Sequence, residues 1–70
     1  MKTVNIDTRA ITVALARKQL TRKGICALSG ISESYFSAIM RRGTASAKTI
    51  GRIAEALGVD VTEIMKQPEE

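Results

Sequence analysis

The side chains of this chain that have a chemistry to offer are hydroxyls and cations, and together they suit recognition better than bond-making. Ser32, Glu33, Ser34, Tyr35 and Ser37 form one run of hydrogen-bonding groups. Thr21, Arg22 and Lys23 precede it, and Arg41, Arg42, Thr44 and Lys48 follow. The usual catalytic and metal-binding types are missing. There is no His, and Cys26 is the only cysteine, so a His-based triad, a Cys/His zinc site and an intramolecular disulfide are all excluded by counting. No enzyme activity, cofactor or metal is expected.

Charge sharpens this. The net value of +4 conceals a split: residues 1–52 carry +8 and residues 53–70 carry −4. A basic working surface with an acidic end held away from it is expected, and a polyanion is the natural partner of the basic part. The other reading is charge scattered over a solvated surface.

Seventy residues make one domain with a small core, leaving little room for a ligand pocket of the usual ~300 Å³ or more. No small-molecule substrate is evident. No apolar run approaches the ~20 residues of a membrane span, and no apolar stretch follows Met1-Lys2 as a secretory signal requires. With one unpaired cysteine, a reducing, cytoplasmic setting is expected.

The elements that must hold these side chains read as helices. Asp7 can cap a helix to Lys18, with Ile11, Ala14, Leu15 and Lys18 at i, i+3, i+4 and i+7. Thr21 can cap a short helix from Arg22 to about Leu28 that buries Ile25 and Leu28, and Gly30 breaks it. Ser32 can cap a third, Glu33 to about Arg41, with Phe36, Ile39 and Met40 at core spacing. Residues 42–45 read as a loop. Ser46 or Thr49 opens a fourth helix, striped by Ile50, Ile53, Ala54 and Leu57 and ended by Gly58. Asp60 and Glu63 form a capping-box pattern for a last turn or two carrying Val61, Ile64 and Met65, and Pro68 stops it before a polar tail, 67–70. The expected fold is all-α, a compact bundle of four to five short helices in one domain, residues 1–70.

Within it, two short helices meet at a turn containing Gly30, with the small Cys26 four residues before it. Helices crossing at ~90–120° through a three- to four-residue turn need that bend, and a small side chain where they back closely together. Leu20-Thr21 opening the segment, Gly30-Ile31-Ser32 at the turn and Phe36-Ser37-x-Ile39 beyond it carry a resemblance to the Cro/cI-type (XRE-type) helix-turn-helix regulators. Ser46-x-x-Thr49-Ile50-x-x-Ile53-Ala54-x-Ala56-Leu57-Gly58-Val59 is similar to that family's fourth helix and exit, at the correct distance. The chain departs from the pattern at Arg22 (often Gln), Gly24 (usually a good helix former), Cys26 (commonly Ala) and the loop 41–45.

The resemblance implies a lambda repressor-like DNA-binding domain, with the helix-turn-helix at about 21–41 and the third helix in the major groove of double-stranded DNA. Ser32, Glu33, Ser34, Tyr35 and Ala38 then occupy base-contacting positions. Thr21, Arg22, Lys23, Ser37, Arg41, Arg42, Thr44 and Lys48 occupy phosphate-contacting ones. Glu33 suits cytosine N4 or simply favours its helix N-terminus, and Tyr35 suits sugar, base, phosphate or partial core packing. The functional expectation is a sequence-specific transcriptional regulator, a repressor of phage or mobile-element kind acting as a homodimer. Val59, Val61, Ile64 and Met65 serve either the core or the dimer. The alternatives are a protein-interaction module, such as an antitoxin or anti-repressor, and an architectural DNA-shaping factor.

Overall fold

The computed structural model describes residues 3–66; Pro68 and the tail 67–70 lie outside the described residues. Every helix begins where a side chain can accept from an otherwise orphaned N–H. Helix α1 (Thr8–Lys18) follows Asp7, which accepts from Ala10 N at 3.0 Å. Helix α2 (Arg22–Ser29) follows Thr21, which accepts from Gly24 N at 3.0 Å. Helix α3 (Glu33–Arg42) follows Ser32, which accepts from Tyr35 N at 3.1 Å. Helix α4 (Ala47–Leu57) starts after Ser46, so Ser46 and not Thr49 is the cap. Helix α5 (Val61–Ile64) has the full capping box, with Asp60 N donating to Glu63 Oε2 at 3.1 Å and Asp60 Oδ1 accepting from Thr62 N at 2.9 Å.

The turn between α2 and α3 is three residues long, Gly30 to Ser32. Gly30 stands at φ +74°, where an L side chain is strained, and its N–H closes on Cys26 O at 2.9 Å. Gly43 ends α3 in the same way.

The stretch expected as a loop is shorter and more ordered than that. Arg42 is the last residue of α3. Thr44–Ala45 (β2) pairs antiparallel with Val4–Asn5 (β1), Val4 opposite Ala45 and Asn5 opposite Thr44. Two-residue strands leave no alternation to read in the sequence. The N-terminal segment continues as a strap: Ile6 N donates to Gly43 O at 2.9 Å, Asp7 N to Ile64 O at 2.7 Å, and Lys66 N to Asn5 O at 3.0 Å. It ties the end of α3 to the end of α5.

The core gathers Ile11, Ile25, Phe36, Ile39, Ile50, Ile53, Leu57 and Ile64, each essentially sealed from solvent. Full burial of such a side chain contributes about 1.5–3 kcal/mol. Cys26 and Ala54, both small, are buried in the same core. Leu28, expected inside, is 63% exposed. Ile25 and Ser29 take the inward positions of α2, and the buried Ser29 hydroxyl is satisfied by donating to Ile25 O at 2.7 Å. Val61 is 38% exposed, while Met40 and Met65 are half-buried. The small chain has more open space than its length suggests: a groove of about 330 Å³ runs beside α1. No helix among the described residues is long and apolar enough to cross a membrane.

Candidate nucleic-acid interface

Helix α3 buries Phe36 and Ile39 and turns its opposite side outward. At 100° per residue, Ser34, Ala38 and Arg41 fall along the middle of that outer side, with Ser37 on one flank and Tyr35 and Arg42 on the other. Ser34 and Arg41 are exposed and Ala38 is half-buried. Glu33 lies exposed in the first turn, where a carboxylate is favoured by the helix dipole.

Each flank is held by the start of another helix. On one side, Arg22 in the first turn of α2 donates from Nη1 to Ser37 Oγ at 3.0 Å. On the other, the Tyr35 hydroxyl lies 3.4 Å from Thr49 Oγ1, in the first turn of α4. Thr49 Oγ1 in turn accepts from Ser46 Oγ at 2.9 Å. Tyr35 is therefore a side chain leaning on α4 at 39% exposure, not a member of the core beside Phe36. Thr49 is the residue the sequence reading missed as a support of the site. It was legible only as a possible cap, because its contact with Tyr35 spans fourteen positions.

The two flanking N-termini share an electrostatic character with α1, whose first turn also carries a cation, Arg9, and no acid. Neither α2 nor α4 has an acid in its first turn. Instead α2 begins Arg22-Lys23 and α4 begins Ala47-Lys48, all four exposed. A helix N-terminus already carries the equivalent of about +0.5 charge, so cations there are unfavourable unless an anion answers them. Backbone N–H groups at such ends also point outward, ready for an anion.

The expected contact residues are thus brought together in part. Arg22, Ser37, Ser34, Ala38 and Arg41 share the α3 side and its α2 flank. Tyr35 and Arg42 lie on the flank toward α4, whose first turn carries Lys48. Ser32 and Thr21 each have one acceptor site of the hydroxyl oxygen engaged as a cap. Thr44 is half-buried in β2.

Below this surface, the Cys26 thiol is buried, and burial pushes its pKa up; the nearby Glu33 carboxylate adds to the shift and Arg22 opposes it. Such a thiol stays protonated and inert. Among the described residues, no group of three or more cysteine and acidic side chains comes together in a form that could hold a metal. Compared with known families, curated proteins and solved structures, the chain matches no family model, no curated protein and no solved structure.

Proposed function

We propose that this chain binds double-stranded DNA sequence-specifically and regulates transcription, with the outer side of α3 in the major groove. The observation that carries the reading is the pair of cation-bearing helix N-termini flanking one exposed helix face. A helix about 10–12 Å across fits a major groove about 12 Å wide. A helix so seated has a phosphate backbone on each side, which is where Arg22-Lys23 and Lys48 stand. Arg41 and Arg42 add charge at the far end of α3, and Ser34, Tyr35 and Ala38 face the base edges. Positioning comes from the phosphates and discrimination from the bases.

The reading extends to a repressor of phage or mobile-element kind, acting in the cytoplasm by occupying an operator, without catalysis or cofactor. One module this small offers few base contacts, so a homodimer on a two-fold site is part of the proposal.

Selection from a randomised duplex pool at about physiological salt tests it, because non-specific binding is weak there. The expected result is a palindrome with half-sites roughly 10 bp apart. A single half-site would keep the DNA reading and remove the homodimer. No enrichment, with all binding lost as salt rises, would overturn sequence-specific recognition.

A further inference from the structure

Helix α3 is joined to its surroundings unevenly. It packs on α2 and on β2, whereas its contact with α4 is slight. The polar link across that slight contact is the Tyr35 hydroxyl, 3.4 Å from Thr49 Oγ1. That separation is long for two hydroxyls, so the link adds little to stability. What it sets is the position of the ring.

Thr49 is able to set it because Thr49 is itself fixed. It is 8% exposed, in the first turn of α4. A helical threonine divides between two χ1 rotamers, since its Oγ1 can also bond back to the preceding turn. Here Ser46 settles the choice: its Oγ accepts from Thr49 N at 3.3 Å and donates to Thr49 Oγ1 at 2.9 Å. The N-cap of α4 thus holds Oγ1 in place, and Oγ1 holds the Tyr35 hydroxyl. The ring itself is only partly covered, so without that contact it is free to turn.

We infer that Thr49 is a specificity-determining positioning residue: buried itself, it sets which base Tyr35 favours. The inference rests on the DNA reading above and deepens it. The first turn of α4, which that reading offers to a phosphate, is also the turn that places a base-facing ring. Docking on the backbone and reading of the base are joined through one side chain.

The parent, Thr49→Val, Thr49→Ser and Tyr35→Phe test it in two measurements. Valine keeps the shape of threonine without the hydroxyl, and serine returns the hydroxyl. The chain has one tyrosine and no tryptophan, so tyrosine circular dichroism in the near ultraviolet reports Tyr35 alone. In the free chain that signal should fall in Thr49→Val and recover in Thr49→Ser, with the helical spectrum unchanged. A signal that Thr49→Val leaves intact overturns the inference without any DNA.

Selection from a randomised duplex pool then reads the base preference. Thr49→Val should relax it at one position by roughly fivefold or more, the low end of what one base contact contributes, with the salt dependence unchanged. Tyr35→Phe should relax the same position, the two together no further than either alone, and Thr49→Ser should restore it. Tyr35→Phe reaches the contact from its exposed side, so this arm stands even if Thr49→Val fails to fold. A preference retained in Thr49→Val or in Tyr35→Phe, or two relaxations that add, overturns the inference and leaves the DNA reading standing. A parent that selects no sequence overturns the DNA reading, and the inference with it, whatever the dichroism shows.

Discussion

Helix α5 and the pair α2 and α4 begin alike and then part ways. All three start after a capping side chain, Asp60, Thr21 and Ser46 respectively. Helix α5 then supplies its own anion: Glu63 sits in the first turn and closes back on the Asp60 N–H. Helices α2 and α4 place cations there instead and have no acid. A self-satisfied N-terminus has no call for an external anion, whereas one loaded with positive charge is improved by one. The difference separates a terminus that answers its own dipole from two that, on the proposed DNA reading, a phosphate would answer, and what marks these two off from α1, which also starts with a cation and no acid, is that they flank α3.

Converting the second kind into the first should have the largest effect, and with opposite signs for folding and binding. Arg22→Glu with Lys48→Glu gives α2 and α4 the first-turn acid that α5 has. Each substitution should raise stability by about 0.3–1 kcal/mol, read by thermal or urea unfolding, less whatever the Arg22–Ser37 bond contributes. DNA affinity should fall roughly a hundredfold or more, since two charge-assisted hydrogen bonds are lost at about 1.5–3 kcal/mol each. Unchanged affinity would break the comparison.

At α3 itself, Arg41→Gln or Arg42→Gln should weaken binding to all sequences alike and flatten the log–log salt dependence by about 0.9 per phosphate contact. Ser34→Ala should behave differently. It should leave the slope alone, change which base is preferred at one position by about 1–3 kcal/mol, and move stability by no more than about 0.5 kcal/mol. If Arg41 and Ser34 variants cannot be told apart by salt dependence, the division into backbone and base contacts fails.

How much of this could be read from the chain follows from the range of each interaction. The caps at Asp7, Thr21, Ser32 and Asp60–Glu63 are local, three residues or fewer from donor to acceptor, and they bounded the helices closely. The stripe Ile50, Ile53, Ala54, Leu57 needs only the helical period, and all four are buried. Leu28 was misread because a two-turn helix offers several defensible inward faces, and the structure uses the one containing Ser29. The pairing of Val4 with Ala45 and the support of Tyr35 by Thr49 join residues far apart, and nothing near either partner signals them. For the candidate site, the residue types and their grouping were legible. The bracketing of α3 by two helix starts was not, because it depends on where α2 and α4 come to rest.

The carboxylate cap of α5, Asp60, can be tested through pH. The Asp60 carboxyl is held below its ordinary value of 3.8, chiefly by the Thr62 backbone N–H and then by the Thr62 hydroxyl, both of which favour the charged form. A carboxyl depressed in the folded state stabilises it above the unfolded value, and that stabilisation is lost as pH falls through the lower, folded value. Asp60→Asn retains a capping oxygen and loses the charge. Its melting temperature should lie below the parent's at neutral pH, and the gap should close as both are acidified past that range. A gap that persists in acid would mean the charge is not what matters at this terminus.

Gly24 should give the smallest effect, and its sign decides what the capped N-terminus of α2 tolerates. Replacing a helical Gly by Ala gains about 1 kcal/mol in propensity. At this position, however, a β-carbon would stand 3.3 Å from Thr21 Oγ1, the atom that accepts from the Gly24 N–H itself, and 3.5 Å from Leu20 Cδ2. The cap oxygen must move by a few tenths of an ångström to admit it, and moving it weakens a bond worth about 1 kcal/mol. The two changes nearly cancel, so Gly24→Ala should shift stability by only a few tenths of a kcal/mol, far less than propensity alone predicts. A full gain of about 1 kcal/mol would show that the Thr21 cap can yield without cost. The departure from a good helix former at position 24 would then have no explanation in the packing around it.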